Sequence, residues 1–158
     1  MGFQTTVNAQ PAPAVAGDFA SQNPRASVLA AAGQLVAPTG GLIVGNFAFV
    51  NPADGTVHQG YTSGYQIGFL ARNSQGLITT FLADSSQVVP AGFMVTLFDA
   101  GEFYAKFAAA APTPGVPVYA STTDGSAQVA SSGGVLTNFI LRSAALAGEL
   151  AIISSFGI

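Results

Sequence analysis

His58 is the only histidine in this 158-residue chain, so any Ser-His-Asp relay would have to run through it. The serines near it form no nucleophile elbow, because Gly60-Tyr61-Thr62-Ser63-Gly64 has the wrong spacing for G-x-S-x-G. Asp99 and Glu102 are the only close carboxylate pair, the arrangement glycoside hydrolysis needs. They flank Ala100-Gly101, where Asp favours the turn and Glu opens the next strand. A zinc site needs several His or Cys ligands, and the chain offers one histidine and no cysteine. Calcium needs an oxygen-rich loop such as D-x-D-x-D-G, and no P-loop or G-x-G-x-x-G is present either. The residues therefore point to no catalytic group, no metal ligand and no cofactor. A small hydrolase using His58 is the remote alternative.

Composition narrows the classes further. Charged residues make up 7% of the chain, against about 25% in an ordinary soluble domain, while 49% are hydrophobic and the mean hydropathy is +0.48. A disordered chain would show the reverse, low hydrophobicity with high charge. Residues 141–158 include Arg142 and Glu149 and fall short of the ~18 clean apolar residues of a spanning helix, so no membrane partner is expected. Net charge is −3, and Arg25, Arg72, Lys106 and Arg142 are scattered singly. Phosphate contacts come from clustered Lys and Arg, so direct nucleic-acid binding is not expected. A soluble chain this poor in charge keeps much of its surface covered in use, by copies of itself or by a partner.

The elements that would position these residues are short strands. Residues 1–24 contain Pro11, Pro13 and Pro24 without sustained alternation, which predicts an extended N-terminal arm. Its apolar Phe3, Val7, Val15 and Phe19 suit docking rather than a solvated tail. Residues 25–158 read as a single β-rich body. The alanine-rich stretch 27–36 fits a short helix or a strand. Residues 42–50 read as one strand with Gly45 as a bulge, ending in the Asn51-Pro52-Ala53-Asp54-Gly55 turn. Strands at 65–70 and 77–82 flank a turn, and strands at 93–98 and 103–107 around Asp99 to Glu102 read as a hairpin. A strand at 116–120, a turn at Thr123-Asp124-Gly125-Ser126, and a last pair at 138–144 and 149–154 complete the pattern. Such spacing predicts an all-β fold, a small β-barrel or jelly-roll-like body with an extended N-terminal arm.

Several segments, in order, resemble the structural cement (capsid decoration) proteins of tailed bacteriophages. They begin with Thr6-Val7-Asn8, then Pro11-Ala12-Pro13 through Asp18-Phe19, Asn23-Pro24-Arg25 and Val44-Gly45-Asn46-Phe47-Ala48-Phe49. The central match is Gly68-Phe69-Leu70-Ala71-Arg72, Leu77-Ile78-Thr79-Thr80-Phe81-Leu82-Ala83, Val89-Pro90-Ala91-Gly92, and Val95-Thr96-Leu97-Phe98-Asp99-Ala100-Gly101-Glu102-Phe103. Val116-Pro117-Val118-Tyr119-Ala120 with Asp124-Gly125-Ser126 closes it. Asn46 departs from the pattern where a basic residue is expected, and Phe49 where tryptophan is expected. The resemblance implies a non-enzymatic homo-oligomer, dimer or trimer, made in the bacterial host cytoplasm and seated on the outer surface of the virion capsid. Its partner would be the major capsid protein, whose lattice it would stabilise. Phe3, Val7, Pro11, Pro13, Val15, Asp18, Phe19, Pro24 and Arg25 are the expected capsid or oligomer interface. A glycan-binding virion or cell-surface module is the alternative with the same β-rich composition.

Overall fold

The computed structural model describes residues 14–29, 33–72 and 87–157. Among them there is no helix; the chain forms twelve strands in three antiparallel sheets. Sheet I runs β1 (Ala26–Ser27), β7 (Leu97–Ala100), β5 (Gln66–Leu70), β3 (Phe47–Val50), β4 (Val57–His58). Sheet II runs β10 (Ala127–Gln128), β9 (Pro117–Ser121), β11 (Gly134–Leu141), β12 (Leu150–Ser154), β8 (Glu102–Lys106). A two-stranded ribbon joins β2 (Leu42–Ile43) to β6 (Val88–Val89). The fold is all-β and jelly-roll-like. Sheet II curls until Phe107, just past β8, meets Ala127 of β10 in an isolated bridge, but no continuous ladder closes it into a barrel.

Side-chain patterns explain the layering. Strands of sheet II alternate, with Phe103 and Ala105, Val118 and Ala120, Phe139 and Leu141, and Ala151 and Ile153 turned inward. That period of two marks a sheet with one wet face. In sheet I, Phe47-Ala48-Phe49-Val50 is buried on every residue, so both of its faces must be covered. Phe47, Phe49 and Phe69 meet the inner face of sheet II, while Ala48, Val50, Leu70 and Leu97 lie under Leu35, Leu42, Val89 and Val95 of the ribbon layer. Phenylalanines clasp the first interface: Phe69 is 4.9 Å from Phe103, and Phe139 lies 5.8 Å from Phe47 and 5.9 Å from Phe103, ring centre to ring centre. Tilted and edge-on rings at such spacings add to plain burial.

Two expected elements divide differently. The strands around Asp99 to Glu102 are not a hairpin, since β7 pairs in sheet I and β8 in sheet II. Gly101 is the corner where the chain changes sheet, at φ 143°, and a Cβ there would sit 2.7 Å from the Phe103 ring. Likewise residues 42–50 are two strands in two layers, with the chain turning at Gly45. Of the expected helix or strand at 27–36, Ser27 ends β1 and residues 35–37 run beside 93–95; residues 30–32 lie outside the described residues, as does the expected strand at 77–82. The Asp124-Gly125 turn forms as expected and joins the sheets: Phe47 N donates to Gly125 O at 2.7 Å, and a Cβ on Gly125 (φ 69°) would collide with the Phe47 carbonyl.

Phe103 is fully buried and Phe98 only partly. Phe103→Ala is expected to lower unfolding free energy by about 3–5 kcal/mol, Phe98→Ala by less, and Leu136→Ala on the outer face by under about 0.5 kcal/mol. Urea unfolding followed by circular dichroism orders the three; a parental midpoint for Phe103→Ala would remove that ring from the core.

Candidate functional site

Of the groups that could do chemistry, His58 and Glu102 are engaged in structure. His58 lies on β4, its ring 5.1 Å from that of Tyr65, and Nε2 is 3.0 Å from Thr56 Oγ1. That hydroxyl donates to Asp54 Oδ1 at 2.7 Å, and the Thr56 backbone N–H donates to the same oxygen at 2.9 Å. These two bonds, backbone first, hold the Asp54 carboxyl below its ordinary range. A hydroxyl whose proton is committed to Asp54 can only accept from Nε2–H, so His58 is not placed to take that proton. A relay needs the imidazole between hydroxyl and carboxylate; here the hydroxyl is in the middle. The cluster closes the Asn51 to Gly55 turn.

Glu102 has a different occupation. Its Oε2 accepts from Asn23 Nδ2 at 2.9 Å and its Oε1 from Ser154 Oγ at 3.0 Å. Hydrogen bonding from Ser21 leads the effects that hold its carboxyl below the ordinary value. Bonds from Ser154 and Asn23 and the charge of Arg142 add to it, against the opposing effect of burial. Glu102 therefore fastens the incoming N-terminal segment to the end of β8 and β12. Among the described residues no three His, Cys, Asp or Glu side chains gather to hold a metal.

The interface residues expected in the N-terminal segment fall into three groups. Phe3, Val7, Pro11 and Pro13 lie outside the described residues. Asp18 and Phe19 are turned onto the chain's own body. Gly17 N donates to Tyr104 O, Tyr104 N to Asp18 O and Ala20 N to Glu102 O, so this stretch lines the free edge of β8. Phe19 sits 5.8 Å from Phe98 and 5.6 Å from Phe103, and Asp18 pairs with Arg72 at 3.4 Å. Val15, Pro24 and Arg25 are exposed, with the Arg25 guanidinium 4.0 Å above the Phe19 ring.

The ribbon layer presents a second surface. Leu35, Ala37, Leu42, Val44, Val89 and Val95 point inward, yet their neighbours Val36, Ile43, Val88, Phe93 and Met94 are also apolar and are exposed. Ile43 stands opposite Val88, and Val36 opposite Met94. Stretches 33–44 and 87–96 contain no Asp, Glu, Lys or Arg. The ribbon therefore carries exposed apolar side chains with no charged residue in either stretch.

The family model described as XM1 gp53 minor capsid protein matches residues 3–155. The chain belongs to the XM1 gp53 minor capsid protein family. Its fold is similar to that of a chain in a solved structure entitled "The capsid of Myoviridae Phage XM1", with a TM-score of 0.73 over 98% of both chains at 19% identity. No curated protein matches. Membership makes this a phage capsid-associated structural protein of the virion.

Reading the sequence for alternation missed the ribbon face. Its signal was the back-to-back apolar runs Leu35-Val36-Ala37, Leu42-Ile43-Val44 and Phe93-Met94-Val95, which leave no side for water. Asn46, where the resemblance to cement proteins called for a basic residue, donates from Nδ2 to Asp124 O at 3.2 Å.

In this family member Glu102 has a depressed folded-state pKa, so its stabilisation is present above the unfolded value near 4.5 and is lost as pH falls through the lower folded value. Glu102→Gln is expected to be less stable than the parent by roughly 1 kcal/mol at neutral pH. Thermal melts at decreasing pH should show that gap closing below pH 4.5; a gap that stays constant would mean the carboxylate charge is not what fastens the segment.

Proposed function

We propose that this chain is a capsid cement or decoration protein, which binds the outer surface of the major capsid protein lattice and stabilises the assembled shell without catalysis. The observation that carries this reading is its near full-length fold similarity to a chain of a phage capsid, within a family of minor capsid proteins. The physical role follows from linkage. A protein that binds only the joined arrangement of subunits lowers the free energy of that arrangement by mass action. Many copies, each with a modest interface, suffice.

Composition supports the same reading. With eleven charged residues in 158 and an uncharged apolar ribbon face, the chain suits close apolar contact better than long-range steering. Scattered positive charges suit a position away from DNA, on the outer side of the shell after synthesis in the host cytoplasm. Residues 1–24 are an arm in this reading whose residues 17–20 are anchored along β8 of the chain's own body, with Phe3, Val7, Pro11 and Pro13 contributing contacts to the capsid protein or to a sister copy in a homo-oligomer, dimer or trimer.

Co-sedimentation with shells lacking the protein tests the proposal. Saturable binding should raise the temperature at which shells rupture, and affinity should change less than about tenfold between about 0.05 and about 0.3 M salt. Absence of binding would contradict the capsid-surface reading, and a loss of several orders of magnitude over that salt range would contradict the apolar interface.

A further inference from the structure

Among the described carboxylates, Asp99 is the one with a buried oxygen that lacks a partner. Asp18, Asp54, Glu102, Asp124 and Glu149 each accept at least one from a named donor. Asp99 Oδ1 is buried without a partner, a costly state for a charged oxygen. Among the described residues no Lys or Arg side chain pairs with it. All four Lys and Arg residues are among the described ones. Arg25 lies over Phe19, Arg72 pairs with Asp18, and Arg142 donates to the Phe156 and Gly157 carbonyls. Lys106 is exposed at the end of β8.

The backbone puts Asp99 in this position by two irregularities. Ala26 pairs with Ala100 and Ser27 with Phe98, which leaves Asp99 as the extra residue of a bulge in β7. Where β7 approaches β11, three residues of β11, Thr137, Asn138 and Phe139, stand opposite Val118 alone. Thr137 Oγ1 takes the place of a ladder donor, giving to Val118 O at 2.7 Å and accepting from Phe139 N at 3.2 Å. Bulges re-aim side chains and recur beside functional sites. These two bring Asp99 and Asn138 into one crevice between the sheets.

The crevice is polar at Asp99, Asn138 and Gln66 and apolar at Ile67, Leu29 and Leu136. Leu29 and Leu136 are 84% and 58% exposed, so apolar surface flanks the carboxylate. A charged acceptor beside apolar walls fits an aliphatic stem carrying a cationic head. It does not fit a bare divalent ion, which takes six or more oxygens. We propose that the Asp99 crevice receives a lysine or arginine side chain of the capsid protein on which this chain sits, an inference that rests on the capsid-surface reading. This contact sets register on the lattice, while the apolar surface supplies area. One partly buried ion pair also leaves binding only weakly sensitive to salt.

The test compares parent, Asp99→Asn and Lys106→Gln full-length chains for co-sedimentation with undecorated shells, with thermal melts as the folding control. Asp99→Asn, nearly the same shape, should melt like the parent or slightly higher and bind shells at least tenfold more weakly. Lys106→Gln should bind like the parent. Equal or tighter binding by Asp99→Asn overturns the inference, since the carboxylate would then be covered without a cation. An equal loss in Lys106→Gln overturns the capsid source and makes a second copy the donor, and loss of parental binding with EDTA replaces the side chain by a metal ion. If the parent itself fails to bind shells, the capsid-surface reading falls and this inference with it, whereas parental binding by Asp99→Asn removes this inference alone.

Discussion

Phe47-Ala48-Phe49-Val50 contains no polar side chain, and a strand of that kind exists only with both of its faces covered. The rest of the architecture answers that requirement. Sheet II covers one face with Phe103 and Phe139, and the ribbon layer covers the other with Leu42 and Val89. Because the covering layers come from the same chain, the backbone must leave sheet I for sheet II at Gly101 and enter it from the ribbon at Gly45. Residues 17–20 then close the seam, bonded to β8 on one side while Gly17 O accepts from Arg72 N, beyond the end of β5.

Covering a strand from both sides leaves apolar surface on the outside of the covering layer. In the ribbon the inward residues and the outward residues are alike in character, and Val36, Ile43, Val88, Phe93 and Met94 are exposed on its outer face. Charge, by contrast, is used sparingly and locally. Asp54, Glu102 and Asp124 each accept hydrogen bonds from nearby residues that hold turns or fasten the N-terminal segment, and each is held below its ordinary pKa by those bonds. Apart from Asp99, the described carboxylates are spent on turns and on fastening segments, and an uncharged face is left outward. Membership of a minor capsid protein family associates the chain with the capsid shell.

Local features of this fold were legible in the sequence, and pairings between distant segments were not. The Asp124-Gly125 turn, the β11 and β12 pair around Gly148, and the opening of β8 at Glu102 all follow from short-range chemistry: a residue that takes positive φ, or a run with period two. The division of 42–50 and of 93–107 between sheets does not, because alternation reports which side a residue faces and never which sheet its strand joins. The same limit hid Asp99. Its neighbours Ala100 and Gly101 suggest a turn, whereas the bulge that places it in the crevice depends on Ala26 and Ser27, more than seventy residues away. Phe19 was legible as a residue with something to dock against; that it docks on Phe98 and Phe103 of its own body depends on the path of residues 17–20 along β8.

The central claim is that this protein sits on the outside of an assembled capsid with its uncharged surface against the coat. A cryo-EM reconstruction of the virion tests it most directly. The account predicts a β-rich density of this size on the outer surface, with Val36, Ile43, Val88, Phe93 and Met94 buried against a neighbouring subunit. Density on the inner, DNA-facing side, or an outer density with that ribbon face open to solvent, would contradict it.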